Sequence, residues 1–338
     1  MVEAHEFQQF GEIVELPLRD PQLCVIVDTE EEFDWRTFSP QARSVRNVGL
    51  QEPLQRLYER YGIVPTYAVD YPVASQEDGY RPLREFLSDK RCEIGAHLHP
   101  WVNPPIDEVI GELNSYPCNL PSDLEYRKLK ELTETIQKNL KVRPCLYKAG
   151  RYGFGENTTT VLKALGYLID CSVLPGTDLR RQSGPNFTAF PNEPYWLSDG
   201  SLIELPVTTG FLGMLGKRGA GLYPWLRNRW AEQMRLPGVF ARLRLIDRIR
   251  LTPEGISLDE AKRLTRYLIR EQNFGVLTLT YHSSSLRVGC TSYVRDKAEL
   301  ASFIAWIDGY LEFFFGEVGG VATTPRSVYE QAVSFRNC

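Results

Sequence analysis

Short apolar runs alternate with stretches whose apolar residues recur at helical spacing along most of the chain. Gln22-Leu-Cys-Val-Ile-Val-Asp28 is apolar almost to its end, the mark of a strand buried on both faces of a parallel sheet. A helix is expected around 51–61, with Pro53 in its first turn. A strand near 63–69 and a helix near 81–88 then lead to a strand that ends at His97 and His99. A Pro- and Asn-rich excursion follows Trp101 to about Ser122. The alternation resumes with a helix near 124–140 and a strand from Pro144 that runs into the Gly-rich turn Lys148-Ala-Gly-Arg-Tyr-Gly153. Next come a helix around 157–165, a strand Tyr167-Leu-Ile-Asp170, a loop-like stretch over 172–200 and an apolar run over 202–207. Ser257-Leu-Asp-Glu260 reads as a capping box opening a helix to about Glu271. The strand 275–281 delivers His282, and a helix near 297–315 follows. Strand and helix in turn are the βαβ pattern of an α/β fold.

Composition narrows the setting. With 338 residues, 43% hydrophobic and 24% charged, the chain has the make-up of a soluble globular protein with a large core. A net charge of -4 gives no overall case for nucleic acid. No stretch has the roughly 18 consecutive apolar residues of a membrane helix, and 1–19, with Glu3, Glu12 and Glu15, shows no secretion signal. The seven cysteines include no CxxC pair, and Cys24, Cys92, Cys145 and Cys171 sit in or beside apolar runs. They read as reduced core thiols of a cytoplasmic protein. Segment 217–250 departs from the average, with nine lysines and arginines against two acids and with Trp225 and Trp230 among them. It reads either as a solvated helical face or as a dock for an anionic membrane surface or a pyrophosphate.

Five of the apolar runs end in chemically able residues: Asp28, His97 with His99, Lys148 with Arg151, Asp170, and His282. In parallel α/β folds the carboxyl ends of the strands face one rim, so such residues converge. Residues i and i+2 of a strand share a face, which pairs His97 with His99 and Asp28 with Glu30. Two histidines and one carboxylate with an open position make a catalytic zinc site, and the second carboxylate stays free as a base. A base on one side and an acid at the leaving group complete a hydrolase. The same ligand set can hold Fe(II) in an oxygenase, which needs no such pair. Glu31, Glu32 and Asp34 read as solvated or as cap neighbours.

The ordered motifs Val-Asp-Thr-Glu (27–30), Glu-Ile-Gly-Ala-His-Leu-His-Pro (93–100), Tyr-Lys-Ala-Gly-Arg-Tyr-Gly (147–153), Ile-Asp-Cys-Ser-Val (169–173) and Leu-Thr-Tyr-His-Ser (279–283) resemble those of the polysaccharide deacetylases. This is the NodB homology domain, or carbohydrate esterase family 4, and the similarity spans about 22–287, most like a divergent cytosolic subgroup of capsule, exopolysaccharide and cell-wall clusters. The resemblance implies an irregular seven-stranded (β/α) barrel that removes N-acetyl groups from amino sugars with a divalent metal, often zinc. It places the base on Asp28, metal ligands on Glu30, His97 and His99, the acid on His282 and its orienting carboxylate on Asp170. The cation that holds the base falls on Lys148 by register or Arg151 by residue type. Three departures accompany it: Asp-Thr-Glu replaces adjacent aspartates, the histidines stand at i, i+2 rather than i, i+4, and Lys148 replaces an arginine.

The expected organisation is an N-terminal extension (1–21), a barrel (22–287) with a basic insertion (217–250), and a C-terminal helical segment (288–338). The expected activity is metal-dependent removal of an acyl group from an amino sugar of a glycan or of its lipid- or nucleotide-linked precursor. Two alternatives stand beside it: a C–N hydrolase of the same barrel acting on a small amide or formamide, and a carbohydrate-binding domain without catalysis.

Overall fold

The computed structural model describes residues 11–337 apart from 17–18, 35–36, 198–199 and most positions between 217 and 244. Eleven strands are described. They are β1 (Gln22–Thr29), β2 (Thr66–Val69), β3 (Glu93–Leu98), β4 (Leu146–Ala149), β5 (Ile169–Asp170), β6 (Tyr195–Leu197), β7 (Leu202–Glu204), β8 (Thr209–Leu212), β9 (Asp247–Arg250), β10 (Val276–His282) and β11 (Val321–Ala322). The α-helices are α1 (Glu52–Arg60), α2 (Tyr71–Ser75), α3 (Glu77–Ser88), α4 (Ser122–Leu140), α5 (Thr158–Ala164), α6 (Leu258–Gln272), α7 (Lys297–Glu312) and α8 (Pro325–Arg336).

Seven strands pair in parallel along the path β10-β1-β2-β3-β4-β5-β7, the number expected of the barrel, while the two-residue β11 adds in parallel at the start of β1 and β6 adds antiparallel to β7. Between β7 and β10 there is no ladder. Single residues bridge the gap: Thr208 and Thr278 each donate a backbone N–H to the other's hydroxyl at 2.8 Å, Leu251 N donates to Thr208 O, and Thr280 N donates to Leu251 O. The barrel is therefore irregular at this seam.

Period two divides each strand between two cores. Leu23, Val25, Val27, Tyr67, Val69, Ala96, Leu98 and Tyr147 face outward, into the layer packed by the helices. Cys24, Ile26, Ala68, Leu146, Ile169, Ile203 and Val276 face inward and cluster with Val328 and Ala332 of α8, so the C-terminal helix packs against the barrel interior. The helices follow local rules. α1 has proline in its first turn and buries Leu54, Leu57 and Tyr58 on one face, and α6 carries the expected reciprocal Ser257–Glu260 capping box. Cys24, Cys92, Cys145 and Cys171 are unpaired and buried.

Several expectations change. Residues 172–200 hold β6, and α8 and β11 lie past the last helix read from the sequence. The end of the basic segment is strand β9, in which Ile249 is buried and Arg248 reaches inward to Pro175 O and the Thr177 hydroxyl. Lys217, Arg218, Trp225, Arg227, Arg229, Arg235 and Arg244 lie outside the described residues, and Trp230 is exposed. Among the described residues no helix is long and apolar enough to cross a bilayer.

Candidate active site

The inner parity of β1 continues past Cys24 and Ile26 to Asp28, with Glu30 just beyond the strand's end, and that of β4 continues past Leu146 to Lys148. The apolar floor of the barrel therefore gives way to charged groups at the carboxyl ends of its strands. His97 is the register partner of Lys148, and His282 that of Asp28. Together they line a pocket of about 270 Å³.

Glu30 Oε2 lies 3.7 Å from His97 Nε2 and 3.5 Å from His99 Nε2. Both Nδ1 atoms are engaged on the far side of their rings, His97 with Lys148 O at 2.9 Å and His99 with Glu31 Oε2 at 2.8 Å. Nδ1–H donation to those oxygens leaves each Nε2 lone pair aimed at Glu30. Burial holds both imidazoles neutral, His97 well below the ordinary histidine range and His99 at about 4. Burial first, then the carboxylates of Glu31, Asp28 and Asp70, raise Glu30 well above the usual range although His282 opposes them. This is an N,N,O donor set, one atom per residue. Donor separations of this size suit a tetrahedral divalent ion with bonds of about 2.0–2.2 Å. The His-x-His spacing works because His97 lies one residue before the end of β3 while His99 lies just beyond it, where Trp101 stacks on its ring at 4.2 Å and 24°. Gly150 is required at this point. A Cβ there would lie 2.5 Å from both His99 Cδ2 and Leu98 O.

Glu31, expected to be solvated, is fully buried. It accepts from His99 and from Trp101 Nε1 at 2.8 Å, and burial pushes its carboxyl up to about 7. Its backbone N–H donates to Asp70 Oδ2 at 2.6 Å, and Asp70 also caps α2 through Val73 N. The alternating strand has ended at Thr29, so parity no longer decides which way residue 31 points.

Asp28 faces a second set of partners. Lys148 Nζ donates to both its oxygens, at 2.6 and 2.8 Å, and His282 Nε2 lies 3.6 Å from Oδ2. Burial works against the carboxylate, but Lys148, and after it His282, outweigh it and lower its pKa to about 2. The cation on Asp28 is therefore Lys148, as register indicated, and not Arg151. Arg151 sits over the rings of Tyr116 and Phe38, at 4.1 and 4.8 Å, and donates to the Ser115 hydroxyl.

His282 Nδ1 pairs with Glu254 Oε2 at 2.7 Å, and Glu254 Oε1 accepts from His282 N and from the Ser285 hydroxyl. Burial would lower this histidine, but Glu254, then Glu30 and Asp28, push it up to about 9. The carboxylate that orients His282 is thus Glu254 and not Asp170. Parity gives the reason. Ile169, paired with Leu146, faces inward, which turns Asp170, paired with Tyr147, to the outer layer. There Asp170 accepts the Ser172 hydroxyl at 2.6 Å and neighbours Glu204, its register partner. Arg250, at the end of β9, also lines the pocket and donates to Tyr152 OH. Glu31, Glu254, Arg250 and Tyr152 are the site residues that sequence reasoning did not assign.

No protein-family model and no curated protein matches the sequence. Similarity appears among solved structures. A Mycobacterium smegmatis protein assigned as a polysaccharide deacetylase superposes with a TM-score of 0.55 over 96% of this chain and 95% of its own, at 16% identity. The 4-alpha-glucanotransferase of Thermococcus litoralis gives 0.52 over 92% of this chain and 40% of its own, at 9% identity. A CE4 family pseudoenzyme of Bacillus anthracis gives 0.46 over 93% and 66%, at 8% identity. Because one barrel hosts different chemistries, function must be argued from the site. The chain has the polysaccharide deacetylase fold that its motifs resemble.

Proposed function

We propose that this protein is a metal-dependent hydrolase that removes an N-acyl group, acetyl in the simplest case, from an amino sugar of a glycan or its precursor. The observation that carries the reading is the convergence, in one pocket, of the Glu30–His97–His99 donor set with two oppositely tuned groups, Asp28 and His282. Pairs of titratable groups whose surroundings push their pKa values apart mark a base and an acid.

Glu30, His97 and His99 would hold the ion, with Lys148 O and Glu31 fixing the two imidazoles from behind. When bound, a zinc-like ion polarises the acyl carbonyl and acidifies a water molecule. Asp28, kept ionised by Lys148, takes a proton from the attacking water as its oxygen bonds to the acyl carbon. His282, kept protonated by Glu254, gives a proton to the amide nitrogen as the C–N bond breaks. The products are a carboxylic acid and a free amine, and the site is restored when Asp28 gives up the proton it took and His282 takes one back, directly or through solvent.

The test is acetate release from N-acetylglucosamine oligomers by chain purified without a chelating column, before and after metal removal and zinc return. Activity lost and regained with the ion supports the reading. Acetate release unaffected by complete metal removal would refute it.

A further inference from the structure

We propose that Arg151 and Arg250 form a cationic subsite that selects amino-sugar substrates bearing an anionic group, a carboxylate or a phosphate, beside the acyl amide. This deepens the deacylase reading and rests on it. The two guanidiniums reach one pocket from separate elements, Arg151 from the turn after β4 and Arg250 from the end of β9.

The case is a balance of charge. Lys148 is matched by Asp28, and His282 by Glu254. Glu30 faces two neutral imidazoles and is the carboxylate of the proposed ion site. Arg151 and Arg250 are different: among the described residues, no carboxylate lies within ion-pair distance of either. Their side-chain hydrogen-bond partners are neutral hydroxyls, Ser115 for Arg151 and Tyr152 for Arg250. Carboxylates act on them only at longer range, Glu254 and Asp28 on Arg250 and Glu112 on Arg151, and a guanidinium offers several donors suited to bidentate capture of a carboxylate or phosphate.

Local geometry holds the pair in place. Arg151 and Tyr152 both adopt left-handed backbone, with φ of 54° and 60°, a conformation that non-glycine residues rarely take unless their surroundings impose it. Stacking over Tyr116 and Phe38 fixes the Arg151 guanidinium, and the strained turn brings Tyr152 OH to Arg250. A neutral acetamido sugar would give neither guanidinium a directly bonded anion.

The test compares N-acetylglucosamine, N-acetylglucosamine 6-phosphate and N-acetylmuramic acid, by calorimetric binding to the zinc-loaded chain and by acetate release. At least one acidic sugar should bind about tenfold more tightly than the neutral one, a difference of 1.4 kcal/mol. The acid that gains more identifies the anion as phosphate or carboxylate. The preference should shrink as salt rises and fall towards unity in Arg151→Gln and in Arg250→Gln, with Arg250→Lys keeping part of it. Equal affinities, no detectable binding of either acidic sugar, or a preference that survives both glutamine variants would overturn the subsite. Failure of the deacylase reading looks different: the acidic preference in binding would persist while none of the three sugars releases acetate.

Discussion

His282 carries the clearest pH signature of any single residue. As the proposed acid it works only while protonated, and Glu254 helps hold its pKa at about 9. Activity should therefore persist through neutrality and fall as pH rises through that value. In Glu254→Gln the alkaline limb of kcat/KM should move down towards the ordinary histidine pKa of about 6.5, with metal content unchanged. An unmoved limb would place the acid elsewhere. Lys148 makes a second test. Lys148→Met leaves Asp28 buried without its cation, which should cost about 3–5 kcal/mol in urea denaturation. Adding Asp28→Asn should restore much of that stability and none of the activity. Asp28 has a lowered pKa, so its contribution to stability is fully present above the unfolded value of about 4 and is lost as pH falls towards 2.

At the scale of elements, what the sequence disclosed depended on parity and on apolar runs. Asp28, Glu30, His97, Lys148 and His282 continue the inward parity of strands whose apolar stretches are plain. Asp170 also ends such a strand, and the same rule applied one strand further would have turned it outward. Glu254 had no comparable signal. It follows β9, whose sequence Asp-Arg-Ile-Arg has one apolar residue, and it meets His282 across a seam closed by isolated hydrogen bonds. The close approach of β3 and β4 gives a test that touches no donor atom. Gly150→Ala forces a Cβ against His99 and Leu98 O and should weaken metal retention, as measured by competition with a chromophoric chelator. Unchanged affinity would show that the His99 ring tolerates the shift. At the start of α6, Ser257→Ala should cost about 1 kcal/mol of stability and leave metal retention alone.

On the scale of the molecule, seven parallel strands gather residues separated by more than 250 positions into one pocket, and α8 packs against the interior beneath it. The barrel was legible because βα alternation persists through most of the chain. The β8–β9 ribbon was not, since both strands are only four residues long, β9 is mostly charged, and the segment joining them reads as a basic insertion. The account's central claim is a division of labour in which Glu30, His97 and His99 hold the ion and Asp28 acts as base. The most direct measurement is zinc stoichiometry and acetate release on the same preparations of wild type, His97→Ala and Asp28→Asn. The account predicts one ion per chain in wild type and in Asp28→Asn, none retained in His97→Ala, and a loss of about two to four decades of rate in Asp28→Asn. Loss of the ion from Asp28→Asn, or its retention with full activity in His97→Ala, would contradict it.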